Sequence, residues 1–301
     1  MVVPAIDNVF IIRHGERLDH AVKMWRPDPS HGLWDPPLSD TGHEQAEKTG
    51  ERLVELLQEK GVDMETTRIL IYTSPFQRCI DTSLGIARHV PNTILRLELG
   101  LGEWMCERFF EDDIAPASRL LARQQEALAR KQAEAFSSIA KNIHGNTTHL
   151  PWVDYGYRAL RNEFEFPERY GDMLKRFDEA RIHCMATATT AAQLPKSPMI
   201  KESQSISDMV VLFVTHAVGV NALLDGFRNQ LTRPIETGYC SISRVIRTHP
   251  SKPTSLASPI TPPPSLPSPK EEKDTSDLHG SSMMRDEWTI DLLASDTHIT
   301  N

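Results

Sequence analysis

The chain has 301 residues, of which 39% are apolar and 25% charged, and it carries a net charge of −8. This composition is ordinary for a globular protein, and the acidic balance excludes a generally basic nucleic-acid-binding surface. No stretch approaches the roughly 18 consecutive apolar residues of a membrane span, and the four cysteines are too widely spaced for a zinc site. We therefore expect a soluble cytoplasmic or nuclear protein with reduced, mostly buried thiols, which binds neither membranes nor nucleic acid directly.

The first predicted strand, residues 9–12, is a short apolar run that leads directly into Arg13, His14, Gly15 and Arg17. Such a run is typical of a strand buried on both faces of a parallel sheet, which places the charged residues just beyond its carboxyl end. Ligands of open α/β sheets bind at that edge, and Gly15 allows a sharp turn there. The alternative is a loop whose charges have no function.

The first predicted helix runs from residue 38 to about residue 59, with leucines at helical spacing in its second half. Either Ser39 or Thr41 can serve as its N-cap. Thr41 together with Glu44 also fits a capping box.

The second predicted strand, residues 68–72, is followed by Ser74 as an N-cap and Pro75 as the first residue of a helix that carries Arg78. The other predicted elements are a strand at 94–97, a helical stretch at 116–141, a helix at 167–188, strands at 209–214 and 240–247, and a final strand at 287–293. Alternating strands and helices predict an α/β fold with a mainly parallel central sheet flanked by helices.

We expect a single domain over residues 1–301 that contains two insertions. Residues 104–200 are predicted to form a helical insertion, which is a candidate cap over the site. Residues 250–286 are predicted to form a disordered loop, because their Pro, Ser and Thr residues leave little apolar surface to bury. This loop is a candidate contact for protein partners, and a homodimer is a further candidate assembly.

Polar residues that are suited to binding an anion follow several of the predicted strands. They are Arg13, His14 and Arg17 after the first strand, Arg78 after the second, Glu103 after the strand at 94–97, and His216 after the strand at 209–214. Because parallel strands end at the same sheet edge, we expect three arginines and two histidines to converge there. Guanidinium groups bind phosphate oxygens in bidentate fashion, so this pattern predicts a pocket for a doubly charged anion.

These motifs resemble the histidine phosphatase superfamily, also called phosphoglycerate-mutase-like. The Arg-His-Gly signature occupies 13–15, the Leu-Ser-x-x-Gly-x-x-Gln-Ala pattern 38–46, the Ser-Pro-x-x-Arg-x-x-x-Thr pattern 74–82, and the strand-His-Ala pattern 214–217, in the family's order. Residues 13–17 and 100–104 further resemble the suppressor of T-cell-receptor-signalling phosphatases and their fungal relatives, which include an RNA polymerase III initiation factor subunit. The Glu-Arg-x-Tyr-Gly pattern of the mutases is missing directly after Glu103, which favours a phosphatase.

The resemblance implies a phosphoglycerate-mutase-like fold and roles for six residues: catalytic His14, Glu103 and His216, and phosphate-binding Arg13, Arg17, Arg78 and His216. In this scheme His14 attacks phosphorus and becomes a phosphohistidine, while Glu103 protonates the departing alcohol. The implied activity is hydrolysis of phosphomonoesters without a metal or other cofactor, and the substrate is a phosphorylated small molecule or phosphoprotein. The alternative is a non-catalytic interaction module that retains the phosphatase fold, in association with transcription machinery.

Overall fold

The computed structural model describes residues 2–26, 35–110, 117–140, 150–194, 206–248, 254–255 and 288–300. The strands are β1 (Val2–Val3), β2 (Ala5–Arg13), β3 (Thr67–Thr73), β4 (Thr93–Leu97), β5 (Trp152–Val153), β6 (Asp208–Thr215), β7 (Ile242–Arg247), β8 (Thr254–Ser255) and β9 (Trp288–Ser295). The α-helices are α1 (Leu18–Ala21), α2 (Asp40–Gln58), α3 (Gln77–Ala87), α4 (Ala117–Ala140), α5 (Tyr170–Thr187), α6 (Ala217–Arg228) and α7 (Thr297–Thr300), and short 3₁₀ turns occupy Leu99–Leu101 and Ala188–Gln193.

Seven strands form one sheet in the order β5-β4-β3-β6-β2-β7-β9. The five adjacent strands β5, β4, β3, β6 and β2 are parallel to one another, whereas β7 is antiparallel to both β2 and β9. The prediction of an α/β fold with a mainly parallel, helix-flanked sheet is therefore confirmed, with an antiparallel pair at one edge. Strands β1 and β8 form a separate two-stranded ladder.

The apolar run in β2 is buried on both sheet faces, as its composition predicts. Val9 and Ile11 belong to the core cluster that includes side chains of α5 and α6. Phe10 and Ile12 belong to the cluster that includes side chains of α2 and α3. All four side chains are fully buried, because helices cover both faces of a parallel sheet.

The N-cap of α2 is Ser39, whose hydroxyl accepts a hydrogen bond from the Gly42 backbone N–H at 2.9 Å. Thr41 lies inside the helix, so the capping box of Thr41 and Glu44 is a wrong prediction. The Ser39 hydroxyl also donates to Glu16 of the turn after β2 at 2.6 Å, so the same side chain connects the helix start to that turn.

The helix after β3 begins later than its sequence predicts. The N-cap is Phe76 and the first helical residue is Gln77, so the predicted N-cap at Ser74 and the predicted helical start at Pro75 are both wrong. The physical reason is that the Ser74 hydroxyl hydrogen-bonds Nε2 of His216 at 2.9 Å instead of capping the helix.

The other predicted elements appear in chain order, with ends that differ by a few residues. The long helix α4 and the helix α5 occupy the predicted helical insertion, and β9 forms the final strand. Of the predicted disordered loop 250–286, only residues 254–255 are among the described ones, so that prediction otherwise lies outside the description. All four cysteines are buried and unpaired, as expected. Within the described ranges, no helix is both long and apolar enough to cross a membrane.

Candidate active site

The register of the parallel strands brings the two predicted histidines to one sheet edge. Arg13 pairs with Thr215 across β2 and β6, and the backbone N–H of His14 donates to the Thr215 carbonyl at 2.9 Å. His14 and His216 therefore stand beside each other at adjacent strand ends. Their ring centroids are 5.3 Å apart in an edge-to-face arrangement.

The turn after β2 is packed against the start of α2 through two glycines. A Cβ on Gly15 would lie 2.6 Å from the Gly42 carbonyl oxygen, and one on Gly42 would lie 2.3 Å from the carbonyl oxygen of Glu16. Neither position can hold a side chain without a backbone shift. The Glu16 backbone N–H also donates to the side chain of Gln45 at 2.9 Å. The second sequence motif thus serves to fix the turn that carries His14.

His14 is 2% exposed, and its hydrogen bonds define its tautomer. Its Nδ1 lies 2.7 Å from the Gly15 carbonyl oxygen, which can only accept, so Nδ1 carries the proton. The lone pair on Nε2 then accepts a hydrogen bond from Nε of Arg78 at 3.3 Å. Burial, with the charges of Arg78 and Arg13, holds the pKa of His14 well below its usual range. His14 is therefore neutral near pH 7, which is the form that can act as a nucleophile.

Arg78 and His216 share a buried contact behind the nucleophile. Nη2 of Arg78 lies 3.1 Å from Nδ1 of His216, and since a guanidinium only donates, Nδ1 accepts and Nε2 donates to the Ser74 hydroxyl. Burial, followed by the charge of Arg78, holds the pKa of His216 well below its usual range. Nη1 of Arg78 is buried and makes no hydrogen bond to the described residues. It lies 4.0 Å from Oδ1 of the buried Asp35 carboxylate.

Glu103 lies next to both His216 and the Arg78 guanidinium. Its Oε2 is 3.3 Å from Nδ1 of His216 and 3.5 Å from Nη2 of Arg78, while its Oε1 accepts from the backbone N–H of Trp104 at 3.0 Å. The side chain retains 14% of its exposure, so it borders the buried histidine pair on the solvent side.

A buried ion pair between Arg176 and Glu168, which sequence patterns do not indicate, holds the loop that contains Glu103. Arg176 of α5 donates to both carboxylate oxygens of Glu168, at 2.6 and 2.8 Å. It also donates to the backbone carbonyls of Gly100, Gly102 and Glu103 at 2.7 to 3.1 Å. Glu168 lies two residues before the start of α5, which carries Arg176.

Tyr239 is a second site residue that sequence patterns do not indicate. The Arg13 guanidinium lies 4.2 Å from the centre of the Tyr239 ring and donates to the Thr237 carbonyl at 2.6 Å. The same ring lies 6.0 Å from the His14 ring, and its hydroxyl is 2.6 Å from Nδ1 of His20. Tyr239 thus orients Arg13 and forms a wall beside the nucleophile.

The Arg17 guanidinium is paired with a carboxylate of its own segment. Its Nε and Nη2 bind the carboxylate of Asp19 at 3.0 and 2.6 Å. Its charge still contributes to lowering the pKa of both His14 and His216. Its predicted contact with phosphate therefore stays a prediction. Among the described residues there is no group of three or more His, Cys, Asp or Glu side chains that could hold a metal ion.

A family model and a relative each match part of this chain. A family model described as the histidine phosphatase superfamily (branch 1) matches residues 9–145. An uncharacterised phosphoglycerate mutase family protein of Acanthamoeba polyphaga mimivirus is 37% identical over 97 residues, which is 32% of this chain and 44% of that protein. The match thus spans less than half of the relative's length.

Solved structures similar to this chain are distant in sequence. A phosphoglycerate mutase from Bacillus anthracis is 11% identical, with 99% of this chain and 97% of that chain covered and a TM-score of 0.47. A mycobacterial glucosyl-3-phosphoglycerate phosphatase is 15% identical, with 96% and 99% covered and a TM-score of 0.42. A phosphoserine phosphatase variant from Entamoeba histolytica is 15% identical, with 82% and 95% covered and a TM-score of 0.39.

Proposed function

We propose that this chain, whose place in the histidine phosphatase superfamily is supported by the family model over residues 9–145, hydrolyses phosphomonoesters through a phosphohistidine on His14. One observation carries the proposal: a buried, neutral imidazole presents the Nε2 lone pair to a buried guanidinium. His14 supplies the nucleophile, and Arg78 supplies the positive charge that a phosphate dianion requires.

Substrate binding begins with an exchange of hydrogen bonds at Arg78. Its Nε donates to Nε2 of His14, so the nucleophile's lone pair is occupied. A phosphate oxygen is a stronger acceptor than a neutral imidazole, because hydrogen bonds between ionised partners are roughly twice as strong as neutral ones. Phosphate binding therefore moves the donor from His14 to the phosphate, and it frees the lone pair at the moment when the substrate is in place.

The first chemical step forms a bond between Nε2 of His14 and phosphorus and breaks the bond from phosphorus to the leaving oxygen. Glu103 donates the proton that this oxygen needs, and the Gly15 carbonyl, which accepts from Nδ1–H, stabilises the positive charge on the phosphorylated ring. In the second step Glu103 takes a proton from water, the water oxygen attacks phosphorus, and the nitrogen–phosphorus bond breaks. Inorganic phosphate and neutral His14 result.

The remaining predicted residues bind the phosphate oxygens, on which negative charge is spread in the transition state. Arg13 is preoriented by its contacts with Tyr239 and Thr237. A bound dianion favours the protonated form of His216, in which both ring nitrogens donate. Arg17 joins by exchanging one arm of its pair with Asp19 for a phosphate oxygen.

The alternative, a non-catalytic interaction module, gains less support from the site. Arg78 lies within contact distance of both the candidate nucleophile His14 and the candidate acid Glu103, and binding alone does not require that combination. The resemblance to the T-cell-receptor-signalling branch and to the RNA polymerase III factor, the substrate as a small molecule or phosphoprotein, and the cytoplasmic or nuclear location all stay predictions.

The direct test is the release of p-nitrophenol from p-nitrophenyl phosphate between about pH 5 and 7. We expect His14→Ala to lower the rate by a factor of about 10³ or more. The matched control is His43→Ala, which removes an exposed histidine from α2 and leaves the rate unchanged. Equal, background-level rates for the wild type and His14→Ala would remove the enzymatic proposal. A chelator is expected to leave the rate intact, and strong inhibition would contradict metal independence.

A further inference from the structure

Asp35 is a fully buried carboxylate in the middle of the cationic site, and its sequence position gives it no obvious role. It precedes α2, yet its Oδ1 accepts from the backbone N–H of Gln77, the first residue of α3, at 2.7 Å. The N-cap of α3, Phe76, provides no side-chain hydrogen bond. Asp35 therefore replaces the missing cap from outside the helix and places a carboxylate at the helix N-terminus, where negative charge is stabilising.

The same carboxylate also faces the phosphate-binding arginine. Its Oδ1 lies 4.0 Å from Nη1 of Arg78, the one buried nitrogen of that guanidinium without a hydrogen bond to the described residues. Arg78 is the second residue of α3, so Asp35 restrains it in two ways, through the helix terminus and through charge. Nε and Nη2 of Arg78 remain directed at His14 and His216.

Helix α4 supplies the groups that hold Asp35 on its other side. Nη2 of Arg123 contacts Oδ2 of Asp35, and Nε2 of Gln124, itself 1% exposed, lies 3.4 Å from the same oxygen. Every one of these neighbours is a donor, so the geometry fits the ionised carboxylate. A continuous chain of contacts thus runs from α4 through Asp35 to Arg78 and His14.

We propose that Asp35 is a positioning residue for Arg78, and that Arg123 and Gln124 of α4 hold it in place. Helix α4 then contributes to phosphate binding without a group that touches phosphate. This inference rests on the proposed function, since it assigns Arg78 to the phosphate. It also gives the predicted helical insertion a definite task, which is to fix the geometry of the anion site from behind.

The test compares two arginine variants on α4, with inorganic phosphate as a competitive inhibitor of p-nitrophenyl phosphate hydrolysis. Arg123→Gln removes the contact with Asp35, and Arg130→Gln makes the same change at an exposed position of that helix. We expect the inhibition constant for phosphate to rise, and kcat/KM to fall, by about tenfold or more in Arg123→Gln only, because a misplaced binding group can cost up to about a hundredfold. Both constants are measured well below the melting temperatures of the variants, where an effect of the substitution on stability alone changes neither constant.

The conservative change at Asp35 itself separates its two contributions. Asp35→Asn keeps an acceptor for the Gln77 N–H but removes the charge, so we expect a loss smaller than that of Asp35→Ala. Unchanged phosphate inhibition in Arg123→Gln relative to Arg130→Gln would overturn the inference. Failure of the proposed function would give a different result, because the wild type would bind inorganic phosphate in calorimetry without hydrolysing esters. The phosphate affinities of Arg123→Gln and Arg130→Gln would then be compared by calorimetry.

Discussion

Replacing Glu168 by Gln tests how the loop that carries Glu103 is held in position. The side chains of Glu168 and Arg176 are 1% and 5% exposed, and the carboxylate accepts two hydrogen bonds from the guanidinium. The substitution leaves a buried guanidinium without its charge partner. Loss of one member of a buried pair costs about 3–5 kcal/mol, so we expect the free energy of unfolding to fall by that amount.

A matched control exists on α5, the helix that carries Arg176. Glu179→Gln makes the same chemical change in the pair of Glu179 with Arg161, whose side chains are 40% and 30% exposed. Solvent-exposed pairs contribute about 0–1 kcal/mol, so this variant should unfold almost like the wild type. Urea unfolding followed by circular dichroism measures both.

Glu168→Gln should also change catalysis in a way that depends on the leaving group. Arg176 donates to the carbonyls of Gly100, Gly102 and Glu103, so loss of its partner displaces the candidate acid. An alkyl phosphate needs a proton from Glu103 far more than p-nitrophenyl phosphate does. We therefore expect kcat/KM to fall more for the alkyl ester. The reasoning is refuted if Glu168→Gln destabilises the protein no more than Glu179→Gln, or if both substrates lose activity by the same factor.

Three further predictions concern packing, protonation and anion binding. Gly42→Ala should lower the free energy of unfolding by about 2 kcal/mol or more, because its Cβ would meet the backbone of Glu16 in the turn after β2. Gly171→Ala, whose Cβ would enter open space, should not lower it. Equal effects of the two substitutions in chemical unfolding would contradict this prediction. Since the folded state lowers the pKa values of His14 and His216, the unfolded chain binds more protons below about pH 6.5, and the free energy of unfolding should fall as the pH decreases, by at most about 2.7 kcal/mol per pH unit from these two groups. The variant in which both His14 and His216 are replaced by glutamine should show a flatter pH dependence of unfolding. An unchanged pH dependence would contradict this prediction. Tyr239→Leu should weaken inhibition by inorganic phosphate about threefold or more, whereas Tyr239→Phe should not, because phenylalanine retains the aromatic face that contacts the Arg13 guanidinium. Equal inhibition constants for the two variants would exclude a role of the ring in orienting Arg13.

The features that the sequence predicts are those encoded over a few consecutive residues. The apolar run of β2 is separated from His14 by one residue, and the apolar run of β6 is separated from His216 by one residue. A parallel sheet then brings both strand ends to one edge whatever the order of the other strands. The helical stretches are likewise local patterns, and their predicted limits lie within a few residues of the observed ones.

The features that sequence patterns do not indicate depend on pairings between distant segments. Glu168 and Arg176 are charged residues, and such residues are mostly exposed in proteins even when, like Arg176, they lie among the apolar residues of a helix. Only the fold shows that they are buried as a pair under the loop of Glu103. Asp35 caps a helix to which it does not belong, and Tyr239 meets Arg13 across the sheet edge.

The wrong prediction at Ser74 has the same origin. Its position before a proline is typical of an N-cap, and the local pattern contains no sign of a competing partner. The competing partner is Nε2 of His216, which arrives from a strand far along the chain. Tertiary contacts at a functional site thus replaced a local capping interaction.

The most direct test of the account is the chemical state of His14 during turnover. Wild-type protein is mixed with p-nitrophenyl phosphate, quenched in alkali within the first turnovers, digested and analysed by mass spectrometry. We predict a phosphoryl group on the peptide that contains His14, stable to alkali and lost in acid, and absent from His14→Ala. Turnover with no phosphoryl group on His14, or with one on another residue, would contradict the account.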